Sequence, residues 1–158
     1  MIQSDSLLLE PTDRVKVAAD AFEKRPFFAE TKRLFQYVSE HIFDDLAALC
    51  DDDFGIVDLG PAGENVVVDD RAGWEQWFHD LFAKLDGMNA ETDTEITDYQ
   101  ALKHETMGYS VVKFTQRLGF GGQDAFFHCI VTIIWKKTAD GWKESRWHVS
   151  LLSVDQPS

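Results

Sequence analysis

His148 carries the most versatile chemistry in this sequence, because an imidazole exchanges a proton near neutral pH once a carboxylate or hydroxyl orients it. It sits in the run Trp147-His148-Val149-Ser150, where a plainer role, tying strand to strand by hydrogen bonds, competes with a catalytic one. If the turn at 139–141 closes an even-numbered hairpin loop, one strand face carries Cys129, Val131, Ile133 and Trp135 together with Trp142, Glu144, Arg146, His148 and Ser150. An odd-numbered loop would instead bring Trp147 inside and send Glu144, Arg146 and His148 to the other face. Tyr109 and Arg117 share a strand face with Lys113. Convergence of Tyr109, Lys113, Glu144, Arg146 and His148 among apolar walls would make a small-molecule site. The competing expectation pairs Glu144 with Arg146 at a strand rim and leaves Lys113 in solvent.

Asp58 is the second candidate base. It precedes Leu59-Gly60-Pro61, which also suits an aspartate that caps a turn. In an apolar pocket its pKa would rise and make it a useful acid or base. Trp74, Trp77, Phe78 and Phe82 would line a helix-facing wall. Core packing accounts for most of them, and Trp74 is the candidate ligand contact. His128, on the opposite strand parity from Cys129, points to a subunit surface. His79 falls on the polar side of its helix, and His41 and His104 have no evident partner.

The elements that must position these residues are legible from their periodicity. Leu34, Val38, Ile42, Leu46 and Leu49 recur every three or four residues and predict a helix over 31–49. Trp74, Phe78, Leu81 and Leu85 predict a second over 70–86, stopped by Gly87. Thr12 and Asp13 can cap a short helix running to about residue 24, ended by Pro26. Between the two long helices, 54–59 and 65–68 read as a hairpin or broken strand pair. Beyond Gly87 the period changes to two, with strands over 91–103, 108–118, 125–137 and 141–154 separated by the glycine-rich turn at 119–122 and by Ala139-Asp140-Gly141. Helices followed by an antiparallel meander make an α+β domain with helices on one sheet face. The strand around 126–135 is apolar on nearly every residue, so its outer face needs cover as well, and a second copy of the chain is the simplest cover.

Composition narrows the function. With 158 residues the chain fits one domain, and 44% hydrophobic and 13% aromatic residues are enough to build a core. A formal charge of −13 opposes broad contact with nucleic acid or anionic lipid, which both need clustered cations. Cys50 and Cys129 lie far apart without metal-ligand spacing and read as buried free thiols. No calcium loop, zinc, phosphate-loop, dinucleotide or serine-hydrolase motif is present, so neither a metal nor a cofactor is expected. No apolar run approaches a membrane span and no basic signal precedes Leu7-Leu8-Leu9, which makes the expected location cytoplasmic.

The order helix, strand pair, helix, four strands resembles the nuclear transport factor 2-like superfamily. The segment 109–117, the run Ile-Val-Thr-Ile-Ile-Trp-Lys-Lys at 130–137, Asp140-Gly141-Trp142 and Trp147-His148-Val149-Ser150 are similar to its SnoaL-like branch, which also contains the association domain of calcium/calmodulin-dependent protein kinase II. The likeness covers about 31–154, leaving 1–30 as an N-terminal arm and 31–158 as the pocket domain. It implies a cone-shaped curved antiparallel sheet with the N-terminal helices on its concave face, a pocket between them, and usually a homodimer. By this resemblance the face bearing Cys129 and Trp135 is the pocket side, Lys113 stands where the kinase association domain carries an inward Arg, and Asp58 lies in the region where ketosteroid isomerases hold their proton-shuttling carboxylate. Trp74 and Ile133 replace polar or charged positions of the kinase domain's pocket. The resulting expectation is a protein that binds a small organic ligand bearing a carboxylate or carbonyl, held by Lys113, Arg146 and His148. Any catalysis would be cofactor-free isomerisation, cyclisation or hydration with His148 or Asp58 as base. The alternative is a non-catalytic assembly module with a vestigial pocket.

Overall fold

The computed structural model describes residues 14–60 and 63–156. After strand β1 (Val15–Val17) and a single 3-10 turn (Asp20–Lys24) come helices α1 (Phe28–Glu40) and α2 (Phe43–Ala48). Strands β2 (Cys50–Leu59) and β3 (Asn65–Val68) then lead into helix α3 (Arg71–Gly87). Four long strands complete the chain: β4 (Glu91–Lys103), β5 (Met107–Phe120), β6 (Gln123–Thr138) and β7 (Gly141–Asp155).

Three departures from the sequence expectation have local causes. The helix expected over 12–24 is absent from the described part of that segment, Thr12 and Asp13 lying outside the described residues. Alternating Val15 and Val17 instead pair in parallel with Thr94 and Ile96 on the free edge of β4, where β-branched residues pack well, and buried Phe22 anchors the turn that follows. The helix expected over 31–49 starts earlier, because Pro26 and left-handed Phe27 (φ 61°) end the preceding turn. It also breaks at His41 (φ 58°), a residue type that tolerates the left-handed region better than most. The α3 prediction holds closely: the Asp70 carboxylate accepts the Gly73 N–H at 2.8 Å, capping the orphan donors of the first turn.

The seven strands form one curved sheet in the order β1-β4-β5-β6-β7-β2-β3. The four-strand meander is antiparallel, as expected. At its margins β1 pairs with β4, and β2 with β7, in parallel. Helices α1 and α3 pack on the concave face. Leu34, Phe35, Trp74, Phe78 and Phe82 are buried there against Ile96, Val112, Phe114, Val131, Ile133 and Trp147. The domain is therefore α+β, a cone-shaped sheet roofed by helices. Cys50 and Cys129 are buried free thiols. Among the described residues no helix is long and apolar enough to cross a membrane.

Two hairpins decide which side chains look inward. Phe120 pairs with Gln123 around Gly121-Gly122, whose φ angles of 63° and 79° are those of a two-residue turn that twists with its strands. Residues directly opposite share a face, so Phe114 joins buried Cys129 inside, while Lys113, opposite Ile130, faces out. The β6–β7 loop is also two residues long, with Thr138 opposite Gly141 and Trp135 opposite Glu144. A bulge at Ser145 then inserts one extra residue before Ile134 pairs with Arg146 and Ile133 with Trp147. A bulge of this kind reverses the phase of everything beyond it.

Candidate functional site

The sheet and the helices leave between them a cavity of about 550 Å³, within the usual range for small-molecule sites. Leu34, Phe35 and Val38 of α1 form one wall, and Trp77, Phe78, Leu81, Phe82 and Leu85 of α3 another. Phe114, Phe127, Val131, Ile133, Trp147 and Val149 form the sheet wall. Most of this lining is apolar because α3 is apolar over a wide arc, and because the strands meet the cavity with their inward, alternate residues.

Polar groups are few. Thr92, Gln116, Cys129, Asp80, Lys84 and Asp58 reach the lining. Thr92 spends its hydroxyl proton on the Ser39 carbonyl at 2.9 Å. Gln116 donates to the Asp93 carbonyl at 3.1 Å and accepts from Thr94 Oγ1 at 2.9 Å. Asp58 is different. It comes from the end of β2, opposite Val66, and is half-buried by area because part of it faces the cavity. Its carboxyl nevertheless lies deep in the molecule. One oxygen accepts the Leu59 N–H at 2.7 Å and the other the Trp147 indole N–H at 3.1 Å. Removal from water pushes its pKa up from 3.8 to about 7, the two N–H donors pulling the other way. A group titrating there is poised to take or give a proton at neutral pH. One oxygen of Asp58 thus closes the strand end, as the turn-capping reading expected, and the other reaches a cavity-lining indole.

The Trp147 indole is expected to hold this carboxyl in tune. In Trp147→Phe the carboxylate loses a donor, so the Asp58 pKa should climb above 7 by about one unit, read by carbon NMR titration of the side-chain carboxyl. An unchanged or lower value would mean that the indole contact does not stabilise the charged form.

The other expected site residues do not converge here. Lys113, expected inward from the resemblance, and Tyr109 on its strand face lie on the outer sheet face, Tyr109 being 40% exposed, because the two-residue Gly121-Gly122 turn sets Lys113 opposite outward Ile130. The Ser145 bulge likewise sends Arg146 and His148 outward. Arg146 bonds the Asp53 carbonyl and pairs with its carboxylate at 3.4 Å, and exposed His148 sits opposite Thr132 and Val57. Glu144, ahead of the bulge, does point inward. It is completely buried beside Cys50, whose thiol donates to Oε2 at 3.5 Å, but it does not reach the cavity lining, and burial raises its pKa from 4.5 to about 8. Trp74 is also core rather than cavity wall, ringed by Phe43, Phe54 and Phe78.

Two features were missed. Trp147 is a cavity residue only because of the bulge, and the open odd-loop alternative was the one hint of it. His41 does have partners: its Nδ1 lies 2.6 Å from Asp86 and its Nε2 3.1 Å from Thr92 Oγ1, brought together by the ends of α1, α3 and the start of β4. No three-carboxylate or histidine cluster suited to a metal occurs among the described residues.

Solved structures share this architecture at low identity. The β subunit of benzoate 1,2-dioxygenase from Burkholderia mallei superposes with a TM-score of 0.68 at 10% identity, covering 78% of this chain and 87% of that one. A hexachlorocyclohexane dehydrochlorinase gives 0.63 at 14%, with 81% and 84% covered. A Xanthomonas campestris protein provisionally assigned as a calcium/calmodulin-dependent protein kinase II association domain gives 0.63 at 15%, with 78% and 84% covered. No curated protein matches the chain in sequence. The family model of the SnoaL-like domain matches residues 30–154, from the first turn of α1 nearly to the end of β7, and the chain belongs to that family.

Proposed function

We propose that this SnoaL-like domain binds a small, largely apolar organic molecule in the cavity and acts on it by cofactor-free proton transfer, with Asp58 as the acid/base group. The observation that carries this reading is the Asp58 carboxyl, pushed up to about 7 by burial, on the wall of a 550 Å³ chamber lined mainly by hydrocarbon. Isomerisation, cyclisation and elimination all need a base that removes a proton from carbon, and an apolar surround strengthens a carboxylate base. The structural likeness to a dehydrochlorinase is compatible with such chemistry. His148, exposed on the outer face, is not part of the proposed machinery.

The test uses a carbon acid that asks only for a base in an apolar site, 5-nitrobenzisoxazole. Asp58 would take the ring C–H proton while the N–O bond breaks, and the oxygen would leave as a coloured phenolate. The kcat/KM of the native protein should rise as pH passes through about 7 and level off above it. Background rates at every pH would overturn the reading of Asp58 as a base.

The assembly reading is favoured by a separate observation and is compatible with the first. On the outer sheet face Val111, Phe126, Ile130 and Ile134 form a half-buried apolar field beside exposed Met107 and Tyr109. We infer that a second copy of the chain covers it. Light scattering should give a dimer, and Ile130→Lys should give a folded monomer. A monomeric native protein would exclude this arrangement.

A further inference from the structure

The cavity's charge, rather than its shape, restricts what it can hold. Lys113, Arg146 and His148, the side chains expected to greet a carboxylate, all lie on the outer face. Among the described residues the one cation at the lining is Lys84, an exposed residue one helical turn from exposed Asp80 on α3. What faces the ligand is Asp58. Each of its oxygens already accepts an N–H, one from Leu59 and one from Trp147. These donors suit the ionised carboxylate. A neutral acid would have to aim its own proton into a chamber where the Gln116 side-chain oxygen is already taken by the Thr94 hydroxyl. The apolar walls oppose ionisation, so the arrangement is a carboxylate with its hydrogen bonds in place and its counter-charge missing. Aromatic rings share the cavity wall with it: Trp147 donates its N–H to it, and Phe78 meets Trp147 edge to face with centroids 5.9 Å apart. Ring faces attract cations, most strongly where water is excluded. A chain of net charge −13 also steers cations toward it and anions away.

We propose that the cavity's ligand is a hydrophobic amine, bound as its ammonium ion, with the cation paired to Asp58 and the apolar body filling the aromatic chamber. This rests on the proposal that the cavity is a ligand site served by Asp58, and replaces the carboxylate-bearing ligand expected from sequence. An anionic ligand would bring two like charges into one low-dielectric chamber, and a neutral one would leave the carboxylate unpaired.

Three probes of one size separate these cases: 2-naphthylmethylamine, 2-naphthylmethanol and 2-naphthoate, titrated calorimetrically into the intact protein at about pH 6 and about pH 8. At the higher pH the amine should bind at least about tenfold more tightly than the alcohol, with naphthoate weakest. Its affinity should drop about tenfold at the lower pH, where Asp58 takes up a proton. In Asp58→Asn the difference between amine and alcohol should vanish. If the alcohol or naphthoate binds as well as the amine, the ammonium proposal is overturned while the cavity stands as a ligand site. If none of the three binds, the ligand-site reading falls with it. The comparison among probes in the native protein does not depend on any variant folding.

Discussion

Asp58→Asn should lower the benzisoxazole kcat/KM by about 100-fold or more, bringing it close to the solution rate. A positioned general base is worth roughly 10²–10⁴ in rate, and among the described residues no other cavity-lining side chain offers a comparable base. Lys84 and Asp80 are exposed, and the Cys129 thiol is pushed up to about 11 by burial and by the charge of Asp58. The amide is nearly isosteric, and its single oxygen can keep one of the two N–H partners while its NH2 faces the other, so the fold should persist at some cost in stability, as circular dichroism would verify. The pH profile adds a second constraint, because the rise through about 7 must disappear in the variant. If instead the variant keeps both rate and profile, the proton goes elsewhere and Asp58 is a structural turn residue.

Glu144→Gln should reverse the sign of its effect on stability across the pH range. Glu144 is completely buried, accepts one weak thiol hydrogen bond and leaves Oε1 without a partner among the described residues. Its folded pKa of about 8 lies above the ordinary 4.5, so the native state holds a proton that the unfolded chain releases. The stability linked to that proton is fully present below about 4.5 and drains away as pH climbs to about 8. A shift of this size corresponds to roughly 4–5 kcal/mol across the window. Glutamine has no charge to bury but carries two N–H donors in place of one O–H, which costs about 1–3 kcal/mol if they stay unpaired. The variant should therefore melt lower than the native protein near pH 5 and higher near pH 9, by roughly 4–8 °C in each direction. Parallel melting curves would show that Glu144 is ionised and solvated at neutral pH. Asp58 contributes in the same sense between about 3.8 and about 7, so both variants are needed to apportion the alkaline loss.

That acids occur at 58 and 144 could be read directly, but their surroundings could not. Asp58 looked equally like a turn cap because its contact with the Leu59 N–H is local, whereas its contact with Trp147 spans 89 positions of chain and exists only once β2 lies in parallel beside β7. Glu144 was placed on the correct face, since the hairpin at 139–140 obeys the short-loop rule. Arg146 and His148 were not, although they are only two and four residues further along. A bulge at Ser145 has no distinctive residue type to announce it. It goes with the packing of Trp147 edge-on against Phe54 and Phe78 in the core, an outcome of contact between distant segments. Lys113 was placed inward by the resemblance alone, and its pairing with Ile130 across the Gly121-Gly122 hairpin turns it outward.

Periodicity alone was enough for the α+β class, the helix Arg71–Gly87, the helical character of 31–48 though not its break at His41, the four-strand meander and the apolar character of the interior, because helix and strand repeats are local and are stamped into every few residues by burial on one side. Local patterns also fixed where chemistry-bearing side chains occur along the chain. Only the tertiary structure decided which of them look inward, because one extra residue in a strand inverts all that follow, and the energy that favours the inversion comes from contacts with remote parts of the core.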